Sequence, residues 1–181
     1  TAYAVTQAWT LASGPDGLRT VYAEFRDAAL NVLAISDDIV YDTTAPGTVS
    51  SLAALTGHQK VTLSWDEASV GETAALEVWR AVWNQGAGLE TVSAYPEYDD
   101  LAADHQPTQP VSYAAALASL EWDLVTSLPD GTETYVDNVG DRGIYYYVVF
   151  AIDLAANPSP ASGLVRAKNY HLGDVQDWQT L

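Results

Sequence analysis

The stretch Ile144-Tyr145-Tyr146-Tyr147-Val148-Val149-Phe150-Ala151-Ile152-Asp153 decides the reading of this chain. Aromatic and β-branched residues fill it, and such side chains suit a pleated surface. Alternate residues of a strand face opposite sides, so Tyr145, Tyr147, Val149 and Ala151 share one face and Tyr146, Val148, Phe150 and Ile152 the other. Leu76–Trp83 has the same character, with Leu76 and Val78 on one face and Glu77, Trp79, Ala81 and Trp83 on the other. In Gln59–Asp66, Val61, Leu63 and Trp65 share one side. Val49–Leu55, Trp122–Leu128, Thr132–Val139 and Ser159–Lys168 complete a set of short strands with turn punctuation, and the pattern predicts an antiparallel β-sandwich.

Upstream lies a seam, Asp42-Thr43-Thr44-Ala45-Pro46. Pro46 has no N–H for a ladder and biases Ala45 toward extended geometry, which suits a stiff joint. Residues 1–46 read as a partial β module of three strands, near Val5–Leu11, Leu18–Phe25 and Val32–Tyr41. A Gly14-Pro15-Asp16-Gly17 turn, with glycines free to take positive φ, separates the first two. Val21, Ala23 and Phe25 alternate with Tyr22 and Glu24, and Leu33, Ile35, Ile39 and Tyr41 face one way. A small sheet with one apolar face is marginal in water, so this face needs a cover from a neighbouring module or another chain. A seam this early implies a piece of a tandem array.

Residues 47–170 form the second domain, interrupted by an insertion over residues 84–121 with Pro96, Pro107 and Pro110. Long ordered insertions are usually functional or packed against something. Its end, Ser112 to Leu120, predicts a helix with Ser112 as N-cap and Tyr113, Leu117 and Leu120 on one face. Residues 171–181 are a C-terminal tail carrying Leu172, Val175, Trp178 and Leu181.

The chain has 181 residues, 48% of them hydrophobic, which is enough for a core. With 7 Lys plus Arg against 24 Asp plus Glu, the formal charge is −17. Phosphate backbones would be repelled, so nucleic acid is excluded as a partner. There is no Cys and no Met. A disulfide scaffold is therefore out, and Thr1 reads as a processed or excised end. No apolar run is long enough to predict a membrane-spanning helix.

The second domain resembles a fibronectin type III domain. The residues that carry the resemblance are Leu63-Ser64-Trp65, Leu76-Glu77-Val78-Trp79-Arg80 and Tyr147-Val148-Val149-Phe150-Ala151-Ile152-Asp153. The stretches Trp9-Thr10-Leu11, Phe25-Arg26-Asp27-Ala28-Ala29 and Asp42-Thr43-Thr44-Ala45-Pro46 resemble the closing half of a bacterial immunoglobulin-like repeat. Together they are similar to tandem modules of large secreted bacterial surface proteins, which implies an extracellular setting and adhesive, spacing or filament-building roles. Two turns depart from that pattern. Where such repeats have Gly before Asn, this chain has Leu30 before Asn31 and Ala156 before Asn157, which predicts differently shaped turns.

If Leu76–Trp83 and Ile144–Asp153 are neighbours, their outer faces merge into an apolar patch of Trp79, Trp83, Tyr146, Val148, Phe150 and Ile152. Such a patch marks an interface. Its cover is either the insertion helix, with Tyr95 and Tyr98, or another module or subunit. The tail residues Leu172, Val175, Trp178 and Leu181 form a second candidate interface that could dock on another copy.

Candidate chemistry is sparse. His58, His105 and His171 lack zinc-like spacing, and there is no nucleophile elbow or phosphate loop. Calcium needs several oxygens close together, which makes Asp37, Asp38 and Asp42 at the seam, or Asp99, Asp100 and Asp104 beside His105, candidate ligands. Trp9, Trp122 and Trp178 are candidates for stacking on a glycan. The sequence thus reads as a non-enzymatic structural or adhesive module with no other cofactor. Its partners are other copies or neighbouring modules, with head-to-tail polymerisation by strand complementation as one version. The alternative is a spacer or carbohydrate-binding module of a secreted polysaccharide-degrading enzyme.

Overall fold

A computed structural model describes residues 6, 8–67, 71, 73–83, 106–140 and 143–169. The chain divides into two compact units, Thr1–Thr44 and Ala45–Leu181.

Unit 1 is built on one hairpin. Strand β1 (Gly17–Arg26) pairs antiparallel with β2 (Val32–Tyr41) in unbroken register, from Gly17 opposite Tyr41 to Arg26 opposite Val32. Gly17 takes a φ of 134°, which favours glycine. Where a strand is expected near Val5–Leu11, the described residues, 6 and 8–11, are irregular. Thr6-Gln7-Ala8-Trp9-Thr10 lacks a sustained apolar face, and Trp9 stays exposed. The base of the hairpin is closed by side chains. Thr43 donates to Asp16 Oδ1 through its N–H (3.0 Å) and hydroxyl (2.8 Å), and the Thr44 hydroxyl donates to Asp16 Oδ2 (2.5 Å). These bonds, the Thr44 hydroxyl foremost, hold the Asp16 carboxyl below its ordinary range. Arg19 donates to the Pro15 carbonyl and lies 4.0 Å above the Tyr41 ring.

Unit 2 is a two-sheet sandwich. One sheet has the order β3-β4-β7, from Ser50–Gly57, Lys60–Asp66 and Thr134–Asp137. The other has the order β6-β5-β8-β9, from Asp123–Pro129, Ala75–Val82, Gly143–Ile152 and Val165–Asn169. All pairings are antiparallel. Between the sheets lies a core of Val49, Val61, Leu63, Trp65, Leu76, Val78, Tyr147, Val149 and Ala151. This is the alternation read from the sequence, so register follows from which face is apolar.

The last strand is shorter than Ser159–Lys168. Pro158 and Pro160 cannot donate to β8. Two buried serines bind β8 there: their N–H groups donate to the Ala151 (2.8 Å) and Val149 (3.0 Å) carbonyls, while Ser159 Oγ accepts the Ala151 N–H (2.9 Å) and Ser162 Oγ the Val149 N–H (2.8 Å). Regular pairing resumes at Val165.

The two turns lacking glycine are not reshaped; they keep left-handed geometry at ordinary residues, with φ of 68° at Leu30 and 66° at Ala156. In each, an aspartate clamps the loop. Asp27 Oδ1 accepts the N–H groups of Ala29 and Asn31 (both 2.9 Å), and Asp153 Oδ1 accepts those of Ala155 (2.9 Å) and Asn157 (2.7 Å). The strain of a left-handed L-residue is about 1 kcal/mol. Leu30→Gly and Ala156→Gly are therefore each expected to raise stability by roughly 0.5–1 kcal/mol, set against glycine's greater unfolded-state freedom. Thermal melts of both variants check this, and a lower Tm for either would show that its side chain contributes more than the strain costs.

Candidate functional site

The outer face of the β6-β5-β8-β9 sheet carries the residues that alternation predicts. Trp79, Trp83, Tyr146, Val148 and Phe150 are buried there and Ile152 is half-buried. The register sets Trp79 opposite Val148 and Ala81 opposite Tyr146, so β5 and β8 merge into one apolar face. Its cover comes from the same chain. Helix α1 (Tyr113–Ala118) lies over it, capped by Ser112 Oγ accepting the Ala115 N–H (3.2 Å). The helix face differs from the predicted one. Ala116 is fully buried and Tyr113 packs on the cluster, whereas Leu117 is 62% exposed and Leu120 is 100% exposed. The helix ends before Leu120, so the i+7 position never completes its turn. Trp122 takes the place of Leu120: it is buried in the cluster and donates its indole N–H to the Thr108 carbonyl (2.8 Å). Tyr113 meets Phe150 and Trp79 edge-on, at 5.4 and 5.9 Å between ring centres. Side chains so deeply covered do not offer a docking surface, which corrects the interface expected at this face.

A second feature of unit 2 has only a weak sequence signal: Arg80 is the one cation in an otherwise mostly apolar β5, which also holds Glu77. Arg80 Nη1 donates to Asp137 Oδ2 at 2.9 Å, and the Tyr147 hydroxyl donates to the same oxygen at 2.9 Å. Asp137 is buried. The trio ties β7 of one sheet to β5 and β8 of the other. Burial first, then the Asp137 charge, pushes the Tyr147 phenol far above the ordinary tyrosine range. A folded-state pKa above the unfolded one adds stability that is complete below the unfolded pKa and lost as pH rises past it. Unit 2 is thus expected to weaken above about pH 10, and Tyr147→Phe to flatten that slope. Urea titrations between neutral and alkaline pH test it; an unchanged slope in the Phe variant would remove Tyr147 as the cause.

Asp37, Asp38 and Asp42 do not form one cation site. Asp37 and Asp38 are adjacent strand residues and so face opposite sides of the hairpin. Asp38 accepts the Thr20 hydroxyl (2.7 Å), and Asp42 accepts the Thr44 N–H (2.9 Å). Among the described residues no three His, Cys, Asp or Glu side chains come together as metal ligands. Asp99, Asp100, Asp104 and His105 lie outside the described residues, as do Tyr95, Tyr98 and the tail with Leu172, Val175, Trp178 and Leu181.

What does present itself is unit 1. The register gathers Val21, Ala23, Phe25, Leu33, Ile35 and Ile39 on one face of the hairpin. Leu33 is 62% exposed and Ile35 51%. The opposite face carries Thr20, Glu24, Arg26, Ser36 and Asp38 among Leu18, Tyr22, Val32 and Val40. Arg19 and Asp37 interrupt the first face, which is otherwise apolar, and that face is the candidate functional site.

No protein-family model matches the chain, and no curated protein does. Solved structures give fold likenesses. A Fn3-like protein from Clostridium thermocellum is 14% identical, with a TM-score of 0.42 over 70% of this chain and 96% of that one. The d3-d4 domains of the rat CD45 extracellular region are 12% identical, with a TM-score of 0.42 over 93% and 72%. The beta-1,2-glucanase from Parabacteroides distasonis is 19% identical, with a TM-score of 0.41 over 80% of this chain and 16% of that one. Among the described residues unit 2 has antiparallel sheets of three and four strands around one core, an immunoglobulin-like β-sandwich, the architecture that fibronectin type III domains share. Among the described residues no helix is long and apolar enough to cross a membrane.

Proposed function

We propose that this chain is a non-catalytic structural or adhesive module of an extracellular surface or filament protein, working through protein–protein contacts made by unit 1. The observation that carries the reading is the exposed apolar face of the hairpin, since a solvated surface does not collect Phe25, Leu33, Ile35 and Ile39 on one side. Strands supplied by a neighbouring module would cover it. In a head-to-tail version another copy supplies them, and a contact that does not close yields a filament. A photo-crosslinking residue placed at Ile35 is expected to give adducts to protein in the cell that makes the chain. Adducts to lipid or glycan alone, or none, would count against the reading. Light scattering of the purified chain addresses the head-to-tail version, which a strictly monomeric chain would sink.

A spacer or carbohydrate-binding module of a polysaccharide-degrading enzyme is the second reading. It draws on Trp9 and Tyr22, both exposed, whereas Trp122 is buried and cannot stack on a sugar. Retention on a polysaccharide column, lost in a Trp9→Ala/Tyr22→Ala variant, would favour it.

A further inference from the structure

The chain contains the same hairpin element twice. Gly17–Asn31 and Gly143–Asn157 align without a gap and share glycine at the start, aspartate at Asp27 and Asp153, alanine at Ala29 and Ala155, and asparagine at the end. The two loops bond alike. Asn31 Nδ2 donates to Asp27 Oδ2 as Asn157 Nδ2 does to Asp153 Oδ2, and Leu30 and Ala156 occupy the same left-handed position. Each opens from a ten-residue strand, and each strand pairs antiparallel with the one after the loop.

The alignment assigns faces. Val21, Ala23 and Phe25 correspond to Tyr147, Val149 and Ala151, which unit 2 buries against Val49, Val61, Leu63 and Trp65 around β3 and β4. Thr20, Tyr22 and Glu24 correspond to Tyr146, Val148 and Phe150, which unit 2 buries under its helix. Polar residues at two of these three positions mean that unit 1 needs cover on its other face alone. The edges correspond as well. Strand β8 has β5 on one side and β9 on the other, whereas β1 has β2 on one side and, among the described residues, no strand on the other.

We infer that the face of Val21, Ala23, Phe25, Leu33, Ile35 and Ile39 is half of a second sandwich core, and that its occupant is a β-sheet of the β3–β4 kind belonging to a separate module. This rests on the reading that unit 1 works through protein contacts. The assigned occupant is such a module rather than the same face of a second copy. On that face Asp37 stands opposite Val21 and Arg19 opposite Ile39, with the Arg19 guanidinium turned to the Pro15 carbonyl and the Tyr41 ring, so a cationic or hydroxyl donor from the occupant suits Asp37, as Arg80 and Tyr147 serve Asp137 in unit 2. The same face of a second copy brings its own Arg19 as well as Asp37, but also a further net charge of −17, which disfavours that pairing.

The test joins residues 48–67, which carry β3 and β4, to Thr1 of the full chain through a flexible Gly/Ser linker of about 20 residues, giving a local concentration in the millimolar range. Amide exchange across β1 and β2 is expected to slow at least tenfold against the same chain carrying the linker alone. A Val21→Lys/Ile35→Lys pair should restore the linker-only rate. No slowing, or slowing that survives the lysines, overturns the proposal. So does a concentration-dependent dimer of the unfused chain that the lysine pair abolishes, since that assigns the face to a second copy. Protein adducts from Ile35 without protection by the fused strands would leave the protein-contact reading intact and remove only this occupant.

Discussion

Replacing Asp137 by alanine is expected to lower the stability of unit 2 by about 1–3 kcal/mol, mainly the cost of leaving the buried Tyr147 hydroxyl without its acceptor. The carboxylate holds both the Arg80 guanidinium and the Tyr147 hydroxyl at 2.9 Å. Without it, a half-buried cation and a buried phenol each lose their acceptor, and the two sheets lose a polar tie across the core. Asp137→Asn keeps the volume and one acceptor oxygen, so its loss should be smaller. Arg80→Met, which removes the stranded cation, should recover part of the loss when combined with Asp137→Ala. Urea unfolding of the four chains, closed as a double-mutant cycle, measures the coupling. A loss under about 1 kcal/mol for Asp137→Ala would place the trio with surface ion pairs.

The second large effect is expected at Phe150. It is fully buried on the outer face and meets Trp79 and Tyr113 edge-on, at 6.4 and 5.4 Å between ring centres. Phe150→Ala should cost about 3–5 kcal/mol, through lost burial and the cavity left under the helix. Leu120→Ala, at a fully exposed side chain of the same insertion, should stay within about 0.5 kcal/mol. The contrast is the informative quantity. Similar losses at both positions would mean that the insertion packs through Leu120 after all.

The fold was largely legible because period-two alternation leaves little freedom once one face is apolar. Val61, Leu63 and Trp65 had to point together, and the strand that is apolar on both faces, Ile144–Asp153, had to lie between two layers. The helix existed where Ser112 and the alanine run put it, but its buried face was misread. Spacing alone favoured the large residues Leu117 and Leu120, whereas a sheet already crowded with Trp79, Trp83 and Phe150 takes the small Ala116 beside Tyr113. The shortened last strand turned on serine side chains standing in for backbone acceptors, which no propensity encodes. The Arg80–Asp137–Tyr147 trio joins residues far apart in sequence, and only the lone arginine in β5 hinted at it. The candidate site was legible in part: Leu33, Ile35 and Ile39 shared a face by spacing, but only the register set them beside Val21, Ala23 and Phe25.

The clasp at Asp16 has a mechanical side. Gly17 lies opposite Tyr41, so the polypeptide enters and leaves the hairpin at the same end. Tension along the chain therefore opens the ladder one bonded pair at a time rather than shearing all pairs together. The first bonds to feel that load are those from Thr43 and Thr44 to Asp16. A hairpin re-forms within about 1–10 μs once tension drops. Three hydrogen bonds on one carboxylate thus set the force at which unit 1 begins to lengthen, and make the hairpin a small extensible spring.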